Sequence, residues 1–265
     1  NMISDFFLAL LLALIQGLTE FLPVSSSAHL LFPSLIFGAK DFGIVFDISV
    51  HAGTLVAVIY YFKKEISGLI HAWLPWVESR SKKNFSLGLN LVVATLPIIL
   101  VGLIFSDLTE SRSSNITSIA WTNLIFACLL YVVFKSSSQS KSLAELSLMA
   151  ALVIGCFQAF AVFPGASRSG MAITGALLIG LNLKDTSKFA FLLSIPTILG
   201  ALILMLAKGA YSIAASDLLI VLSGFIGSAF FAFITIKIFL QFVERIGMTP
   251  FVFYRVALGV ILLLL

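Results

Sequence analysis

Residues 16–29, QGLTEFLPVSSSAH, gather polar side chains inside a very apolar part of the chain. Gln16 and Glu20 are four residues apart, so on a helix they share one face. Pro23 lacks the backbone N–H of a helical ladder and disfavours helix in the residue before it. A serine cluster and His29 follow this proline. The stretch therefore predicts a helix, a turn and a second helix, with an ionisable group near the turn.

The rest of the chain has the composition of a membrane protein. Of its 265 residues, 60% are hydrophobic and 11% are charged, whereas a soluble domain has about 25% charged residues. Long uncharged runs recur from end to end, which predicts a polytopic helical membrane protein rather than a soluble domain. The runs do not alternate as barrel strands do. Asp5 precedes the first run without a basic segment, so we expect no removable signal peptide.

Two apolar segments, 5–37 and 146–182, are too long for one span and are interrupted at FLPVSSS and FPGASRSG. Broken helices persist at membrane depth only where they are buried in protein or line a wet cavity. We therefore predict an all-α integral membrane protein with two re-entrant helix–turn–helix hairpins. Its six spanning helices, each near the ~20 residues that a bilayer requires, are predicted at 45–62, 85–105, 117–134, 189–207, 217–237 and 250–265.

This topology separates the basic residues. Cytoplasmic loops are enriched in Lys and Arg, so the face with most of them is predicted to be cytoplasmic, and the first hairpin enters from outside. The predicted cytoplasmic face carries Lys63, Lys64, Arg80, Lys82, Lys83, Lys135, Lys141, Lys184, Lys188, Lys237 and Arg245. The opposite face carries Lys40, Arg112 and Lys208.

The chain is predicted to be one membrane domain, 1–265, made of two repeats, 1–134 and 146–265. Each repeat contains a broken hairpin and three spans, and an odd number of crossings makes the two antiparallel. Pro23–Ser26 aligns with Pro164–Ser167, and FDISVHAGTLVAVI aligns with FAFLLSIPTILGAL. Sites in such inverted repeats lie where the broken elements meet.

The first motif carries candidate catalytic groups. An ionisable side chain inside a membrane segment is costly and indicates function, so Glu20 is a candidate, with simple solvation at an interface as the alternative. Ser25, Ser26 and Ser27 exceed what one helix cap needs. His29 is expected on the same side as Ser26, where it would act as a base.

The second motif, PGASRSG, is typical of an anion site. Gly165 permits a tight turn and close backbone approach, and Ser167 and Ser169 place donors where a half-helix begins. The planar guanidinium of Arg168 suits phosphate or carboxylate, with an ion pair to Glu20 as the structural alternative. The two motifs predict a nucleophile and base beside an anion clamp, which leaves lipid headgroup chemistry and anion transport both open.

Several residues outside the two motifs also have predicted positions or roles. Asp47 and His51 begin the first span and are predicted to support the site from behind, although helix capping by Asp47 is an equal alternative. Arg255 is predicted to extend to the cytoplasmic interface. Cys128 and Cys156 are predicted to be small packing residues, because their spacing does not fit a metal site. The basic pI indicates cytoplasmic loops and no nucleic-acid partner.

The motifs QGLTEFLPVSSSAH and FPGASRSG, with FDISVHAGTLVAVIYYF, FAFLLSIPTILGA and FVFYRVALG, resemble the undecaprenyl-pyrophosphate phosphatase (bacitracin-resistance) family over nearly the whole chain. The resemblance implies a multi-pass enzyme of the bacterial plasma membrane with an outward-facing site. Such an enzyme hydrolyses undecaprenyl pyrophosphate to the monophosphate and recycles the lipid carrier for cell-wall synthesis. It also implies a need for Mg²⁺ or Ca²⁺. A secondary transporter or lipid flippase on the same repeat is the alternative.

The resemblance also implies roles for single residues. Glu20 matches a catalytic glutamate that would hold the metal weakly, largely through the substrate. Ser26 matches the proposed nucleophile, and His29 the proposed acid or base. Arg168 is placed in both the catalytic and the substrate-binding sets, and the remaining substrate-binding positions are Gln16, Ser25, Ser27, Gly165, Ser167 and Ser169.

Two positions depart from the family pattern, and one property stays open. Ala28 replaces a usual Gly, and Ala172 replaces a frequent Thr, which puts a hydroxyl role there in doubt. The sequence leaves the oligomeric state open, a homodimer included.

Overall fold

A computed structural model describes residues 2–74, 76, 81–105, 115–207 and 217–264. In these ranges the secondary structure is helical, with short 3-10 turns at Leu143–Glu145 and Phe160–Val162. The α-helices are α1 (Met2–Thr19), α2 (Ser26–Phe37), α3 (Ile44–Tyr61), α4 (Lys63–Trp73), α5 (Lys82–Ile104), α6 (Ile116–Ser136), α7 (Leu148–Ala159), α8 (Arg168–Ile179), α9 (Leu183–Ala207), α10 (Leu218–Ile246) and α11 (Thr249–Leu264).

Five of the described helices, α3, α5, α6, α9 and α10, are long and apolar enough to cross a membrane. They fall on five of the six predicted spans, so the prediction of an all-α protein with several apolar spans is confirmed. The sixth predicted span is α11, which has 16 residues and is shorter than the ~20 residues of a typical span. Helix α9 begins before its predicted start and α10 ends after its predicted end, because polar residues continue both helices past their apolar segments.

The first apolar segment is broken where Pro23 predicts a break. Helix α1 ends at Thr19 and α2 begins at Ser26. Ser25, which directly precedes α2, has φ of 69°, a left-handed conformation that residues other than glycine seldom adopt. Phe21 of the connection is fully buried and its ring packs edge-on against Phe191 of α9. The break is therefore held inside the bundle.

The second apolar segment is broken in the same way between α7 and α8. Ser167 directly precedes α8 and has φ of 72°, so its counterpart in the first break is Ser25. The sequence alignment, which pairs Ser167 with Ser26, is wrong by one residue, because Pro23 and Pro164 stand at different distances from the helix that follows. Helices α2 and α8 each have 12 residues.

Packing between helices follows a reciprocal pattern across the two halves. Helix α1 packs on α10 and α7 packs on α5, while α3 packs on α10 and α9 packs on α5. If α1, α3 and α10 are replaced by their counterparts α7, α9 and α5 in the other half of the chain, α1–α10 becomes α7–α5, and α3–α10 becomes α9–α5. The pairs α3–α9 and α6–α11 are unchanged by the exchange.

Contacts among the polar connections place several basic segments at one end of the bundle. Lys188 of α9 forms an ion pair of 3.0 Å with Glu65 of α4. The Lys141 amide donates to the Gly180 carbonyl at 2.9 Å, next to the turn between α8 and α9. Of the basic residues used to predict orientation, Arg80, Arg112 and Lys208 lie outside the described residues.

The two cysteines are placed differently from the prediction. Cys128 and Cys156 are both exposed on the outer surface of the bundle. Their chain neighbours Ala127 and Gly155 occupy the inward positions instead, since adjacent residues on a helix point in different directions. Both cysteines therefore face outward and do not fill the core.

Candidate active site

The two breaks meet through Glu20 and Arg168. The Arg168 Nη2 donates to Glu20 Oε1 at 2.9 Å and to the Glu20 main-chain oxygen at 3.3 Å. Ser169 Oγ donates to the Leu22 main-chain oxygen at 2.7 Å. These contacts join the two polar motifs into one site. The ion pair between Arg168 and Glu20, which was the structural alternative for Arg168, is present.

The Glu20 carboxylate is the centre of the site. Its Oε2 accepts hydrogen bonds from Ser26 Oγ at 2.6 Å and from Gln16 Nε2 at 2.9 Å. The His51 Nε2 lies 3.8 Å from the same oxygen. The side chain is only 5% exposed, and a buried carboxylate is stable only when donors and opposite charge compensate it. Donors to both carboxylate oxygens therefore compensate the burial of Glu20.

The backbone explains why these groups converge. The Glu20 amide donates to the Gln16 carbonyl at 3.0 Å, so the helical spacing of α1 continues to the next residue and brings Gln16 against Glu20. The left-handed conformation of Ser25 then turns the chain and starts α2. This turn places Ser26, the first residue of α2, beside the Glu20 carboxylate.

Two buried polar atoms at the site have no hydrogen-bond partner among the described residues: Arg168 Nη1 and Gln16 Oε1. Buried polar atoms normally have partners, so these two atoms are candidates for bonding to a ligand. The free guanidinium nitrogen lies at the first residue of α8, where backbone N–H groups also favour anions. A phosphate oxygen suits this position.

The remaining serines have structural partners. Ser167 Oγ accepts from the Gly170 amide at 3.1 Å and caps α8. Ser25 stands at the cap position of α2 without such a bond, and its Oγ lies 3.5 Å from Ser27 Oγ. Ser26, Ser27 and Arg168 are partly exposed, so they line the accessible side of the site.

Gly165 packs away from Glu20. Its φ is 94°, and an added Cβ would lie 2.6 Å from the Ile119 carbonyl oxygen. The close backbone approach that the sequence predicts is present, but it is an approach to α6. Gly165 thus shapes the break from behind.

The ring nitrogens of His29, which was expected beside Ser26, contact groups other than the Ser26 hydroxyl. Its Nδ1 lies 2.7 Å from the Ser25 carbonyl and its Nε2 lies 2.5 Å from the Tyr254 hydroxyl. His29 is four residues after Ser25, and this helical spacing turns the ring toward that carbonyl. The group that lies beside Ser26 is Glu20.

His51 and Asp47 are connected through the backbone. The His51 Nδ1 lies 2.7 Å from the Asp47 main-chain oxygen, while its Nε2 faces Glu20. The Asp47 side chain lines a small cavity between α1, α2 and the start of α3, together with Lys40 and Ser34. His51 therefore lies near the Glu20 carboxylate, and the Asp47 carbonyl orients the His51 ring.

The prediction that Arg255 extends to the cytoplasmic interface is wrong. Arg255 is fully buried and does not extend to an interface. Its guanidinium donates to the main-chain oxygens of Pro23 at 3.3 Å, Gly165 at 3.0 Å and Ala166 at 3.1 Å. Carbonyls in a break have no helical partner and need a donor. Arg255 supplies that donor to both breaks.

Asn123 and Tyr254 were also missed. Asn123 holds Arg255, and Tyr254 holds His29. The signal that could have found Arg255 is its position in an apolar segment, since ionisable residues there usually face the bundle interior. No sequence feature distinguishes Asn123 or Tyr254 from other residues of the spans.

The position where Thr is frequent in the family contains no hydroxyl. Ala172 is fully buried in the core. Thr174 Oγ1 donates to the Gly170 carbonyl within α8 at 2.7 Å, so it does not take over that place.

These features define the class of the protein: a helical membrane protein with several spans and a buried site suited to an anionic group. Residues 9–261 match the family described as bacitracin resistance protein BacA. The chain belongs to this family, which confirms the resemblance seen in the sequence.

Curated relatives cover almost the entire chain. A protein of Teredinibacter turnerae named undecaprenyl-diphosphatase is 46% identical over 266 residues, covering 97% of this chain and 98% of the relative. Proteins with the same name from Saccharophagus degradans and Alcanivorax borkumensis are each 44% identical, covering 96% and 98% of this chain and the same shares of the relatives.

Proposed function

We propose that the protein is an undecaprenyl-diphosphatase, which hydrolyses undecaprenyl pyrophosphate to undecaprenyl phosphate and inorganic phosphate. The family membership and the names of the relatives support this activity. The observation that carries it is the hydrogen bond of 2.6 Å from Ser26 Oγ to Glu20 Oε2, beside Arg168. This activity recycles the lipid carrier for cell-wall synthesis and accounts for bacitracin resistance.

In the first step, Ser26 Oγ attacks the terminal phosphorus while its proton passes to Glu20 Oε2. The bond from this phosphorus to the bridging oxygen breaks, and undecaprenyl phosphate leaves with the bond electrons. Water then attacks the phosphoserine phosphorus, and the bond from phosphorus to Ser26 Oγ breaks. The proton held by Glu20 returns to Ser26 Oγ, while the water oxygen and its protons leave with inorganic phosphate. A positioned base contributes about 10²–10⁴ in rate, and the 2.6 Å contact supplies that position.

Arg168 stabilises the negative charge that develops on the phosphate oxygens during both steps. Its Nη2 keeps Glu20 in place, and its unpartnered Nη1 is free to donate to a phosphate oxygen. Ser27 on the accessible side, with the N–H groups that begin α8, completes the proposed binding surface. Because the donors are fixed before the substrate arrives, little reorganisation accompanies the reaction.

We also propose that Mg²⁺ or Ca²⁺ binds with the substrate. The Glu20 carboxylate and the unpartnered Gln16 Oε1 are oxygen ligands of the type that both cations prefer. Across the described ranges no group of three or more His, Cys, Asp or Glu could hold a metal, so substrate oxygens and water would complete the ligands. When bound, the cation would supply positive charge against the pyrophosphate.

For the membrane arrangement we propose six spans, with α11 as the sixth, and two re-entrant hairpins related by an inverted repeat. The reciprocal packing of the two halves supports this. So do α2 and α8, whose 12 residues give about 18 Å each, roughly half of a ~30 Å hydrocarbon core. The basic end of the bundle would face the cytoplasm of a bacterial plasma membrane, and the site would face outward.

The rival function is a secondary transporter or lipid flippase on the same repeat. Transport needs no nucleophile with its base. The sequence named Ser26 and His29 as that pair, and the geometry favours Ser26 and Glu20 instead. This contact favours hydrolysis.

The test measures phosphate release from a polyprenyl pyrophosphate by the purified protein in detergent. We expect Glu20→Gln and Ser26→Ala each to lower kcat at least 100-fold, the lower bound for loss of a positioned base. Glu65→Gln is the matched control, since Glu65 pairs with Lys188 at the basic end. Equal release from the wild type and both site variants would refute the catalytic assignment.

A further inference from the structure

His29 is held between two partners on opposite sides of its ring. Its Nδ1 is 2.7 Å from the Ser25 carbonyl, and a carbonyl only accepts, so Nδ1 must carry a hydrogen. In the neutral ring Nε2 is then a lone-pair acceptor, and it lies 2.5 Å from the Tyr254 hydroxyl. The geometry fits a hydrogen bond donated by Tyr254 to His29.

The two rings also stack. The His29 and Tyr254 planes are 14° apart with centroids separated by 5.6 Å, and Phe32 closes the other side of the imidazole at 5.2 Å. His29 is 8% exposed and Tyr254 is 46% exposed. The imidazole is therefore buried, and the hydroxyl that contacts it belongs to a ring that reaches the accessible surface.

Helix α11 is fixed at this point by the residue next to Tyr254. Arg255 donates to carbonyls of both breaks and to Asn123. Tyr254 consequently has little freedom to move relative to the site, as a positioning group requires.

We propose that Tyr254 is a positioning residue, whose hydroxyl donates to Nε2 and fixes the orientation of the neutral His29 ring, while the Ser25 carbonyl keeps the hydrogen on Nδ1. This rests on the proposed phosphatase activity only for its effect on rate. Nε2 is thereby turned toward α11 and away from Ser26, which leaves Glu20 as the group that receives the serine proton.

The first test is nitrogen NMR of the full-length protein in detergent with ¹⁵N-labelled histidine. The chain has three histidines, and the signals lost in His29→Gln assign His29. We expect a protonated Nδ1 and an unprotonated Nε2 for His29 at neutral pH. Tyr254→Phe keeps the stacked ring but removes the hydroxyl, so the Nε2 signal should shift to that of a nitrogen without a hydrogen bond, while Nδ1 stays protonated on the Ser25 carbonyl.

Tyr131→Phe is the matched control, because Tyr131 lies on the outer surface of α6 and should leave the spectrum unchanged. If the neutral His29 ring of the wild type carried its hydrogen on Nε2, the proposal would be overturned, even if Tyr254→Phe did not fold. An identical His29 spectrum in wild type and Tyr254→Phe would overturn it as well.

The second test is kinetic. Tyr254→Phe should lower kcat for phosphate release about tenfold, because a His29 ring that Tyr254 no longer holds can compete with Glu20 for the Ser26 hydroxyl and disturb a positioned base. KM should stay within about twofold. An unchanged kcat would overturn the proposal. Absence of phosphate release from the wild type would instead refute the phosphatase function, while the NMR result still decides whether Tyr254 donates to His29 Nε2.

Discussion

Arg255 and Asn123 hold each other through a reciprocal pair of hydrogen bonds. The Arg255 Nε donates to Asn123 Oδ1 at 2.8 Å, and the Asn123 Nδ2 donates to the Arg255 carbonyl at 2.6 Å. Both residues are buried. The guanidinium, fixed in this way, presents its other hydrogens to the carbonyls of the two breaks, so α6 and α11 determine how the breaks face each other.

Replacing Arg255 should therefore destabilise the site and the fold together. Arg255→Met removes the donor from three break carbonyls and from Asn123, and we expect a loss of about 3 kcal/mol in the free energy of unfolding, on the scale of a broken buried polar network. The measurement is thermal unfolding in detergent together with phosphate release.

Arg245→Met is the control for this change, because Arg245 is exposed at the end of α10. Its melting temperature should stay close to that of the wild type. A stable, fully active Arg255→Met protein would contradict the role assigned to this residue.

Ser26 and Glu20 should behave as one catalytic unit. Since the serine proton passes to the carboxylate, either single change removes the same step, and the double variant Ser26→Ala/Glu20→Gln should lose no more activity than the worse single variant. Rate constants for phosphate release in the four proteins measure this. Losses that multiply would indicate that the two residues act in separate steps.

Arg168→Lys should weaken binding of the pyrophosphate even though it keeps the positive charge. Lysine keeps the positive charge but lacks a second nitrogen, so it cannot hold Glu20 and a phosphate oxygen as a fork does. We expect KM to rise about tenfold, consistent with the loss of one charge-assisted hydrogen bond. Equal KM values for Arg168→Lys and the wild type would show that Nη1 does not contact the substrate.

Metal binding should be weak in the absence of substrate, because the described residues offer one carboxylate and one amide oxygen at the centre. Titration calorimetry of the substrate-free protein with Mg²⁺ should show no tight, stoichiometric site. Gln16→Glu adds a second carboxylate and should lower the Mg²⁺ concentration that gives half-maximal activity. Gln16→Leu removes the amide oxygen and should raise it. Tight binding to the substrate-free wild type would contradict this.

Much of the architecture follows from the order of residues alone. Apolar runs long enough for a bilayer predict α3, α5, α6, α9 and α10, and Pro23 and Pro164 predict the two breaks. Boundaries are less well predicted where polar residues such as Lys184 extend a helix beyond its apolar segment. Glu20, Ser26 and Arg168 could be selected because charged and hydroxyl groups are costly in such surroundings unless they have a role.

The partners of these groups could not be predicted. His29 was expected beside Ser26, but it contacts Tyr254, which lies 225 residues away in the sequence. Arg255 was expected at an interface and is buried between the breaks. In both cases a helix offers several directions to a side chain, and only packing against another helix selects one of them.

The sequence by itself determined which segments are helical, where two of them break and which polar residues are concentrated at the breaks, since these depend on local backbone chemistry and on the cost of polarity in an apolar chain. Only the tertiary structure decided that Glu20 is shared by Ser26, Gln16 and Arg168, and that Arg255 holds the two breaks together. Hydrogen bonds between distant residues depend on how whole helices pack, and no local pattern encodes that packing.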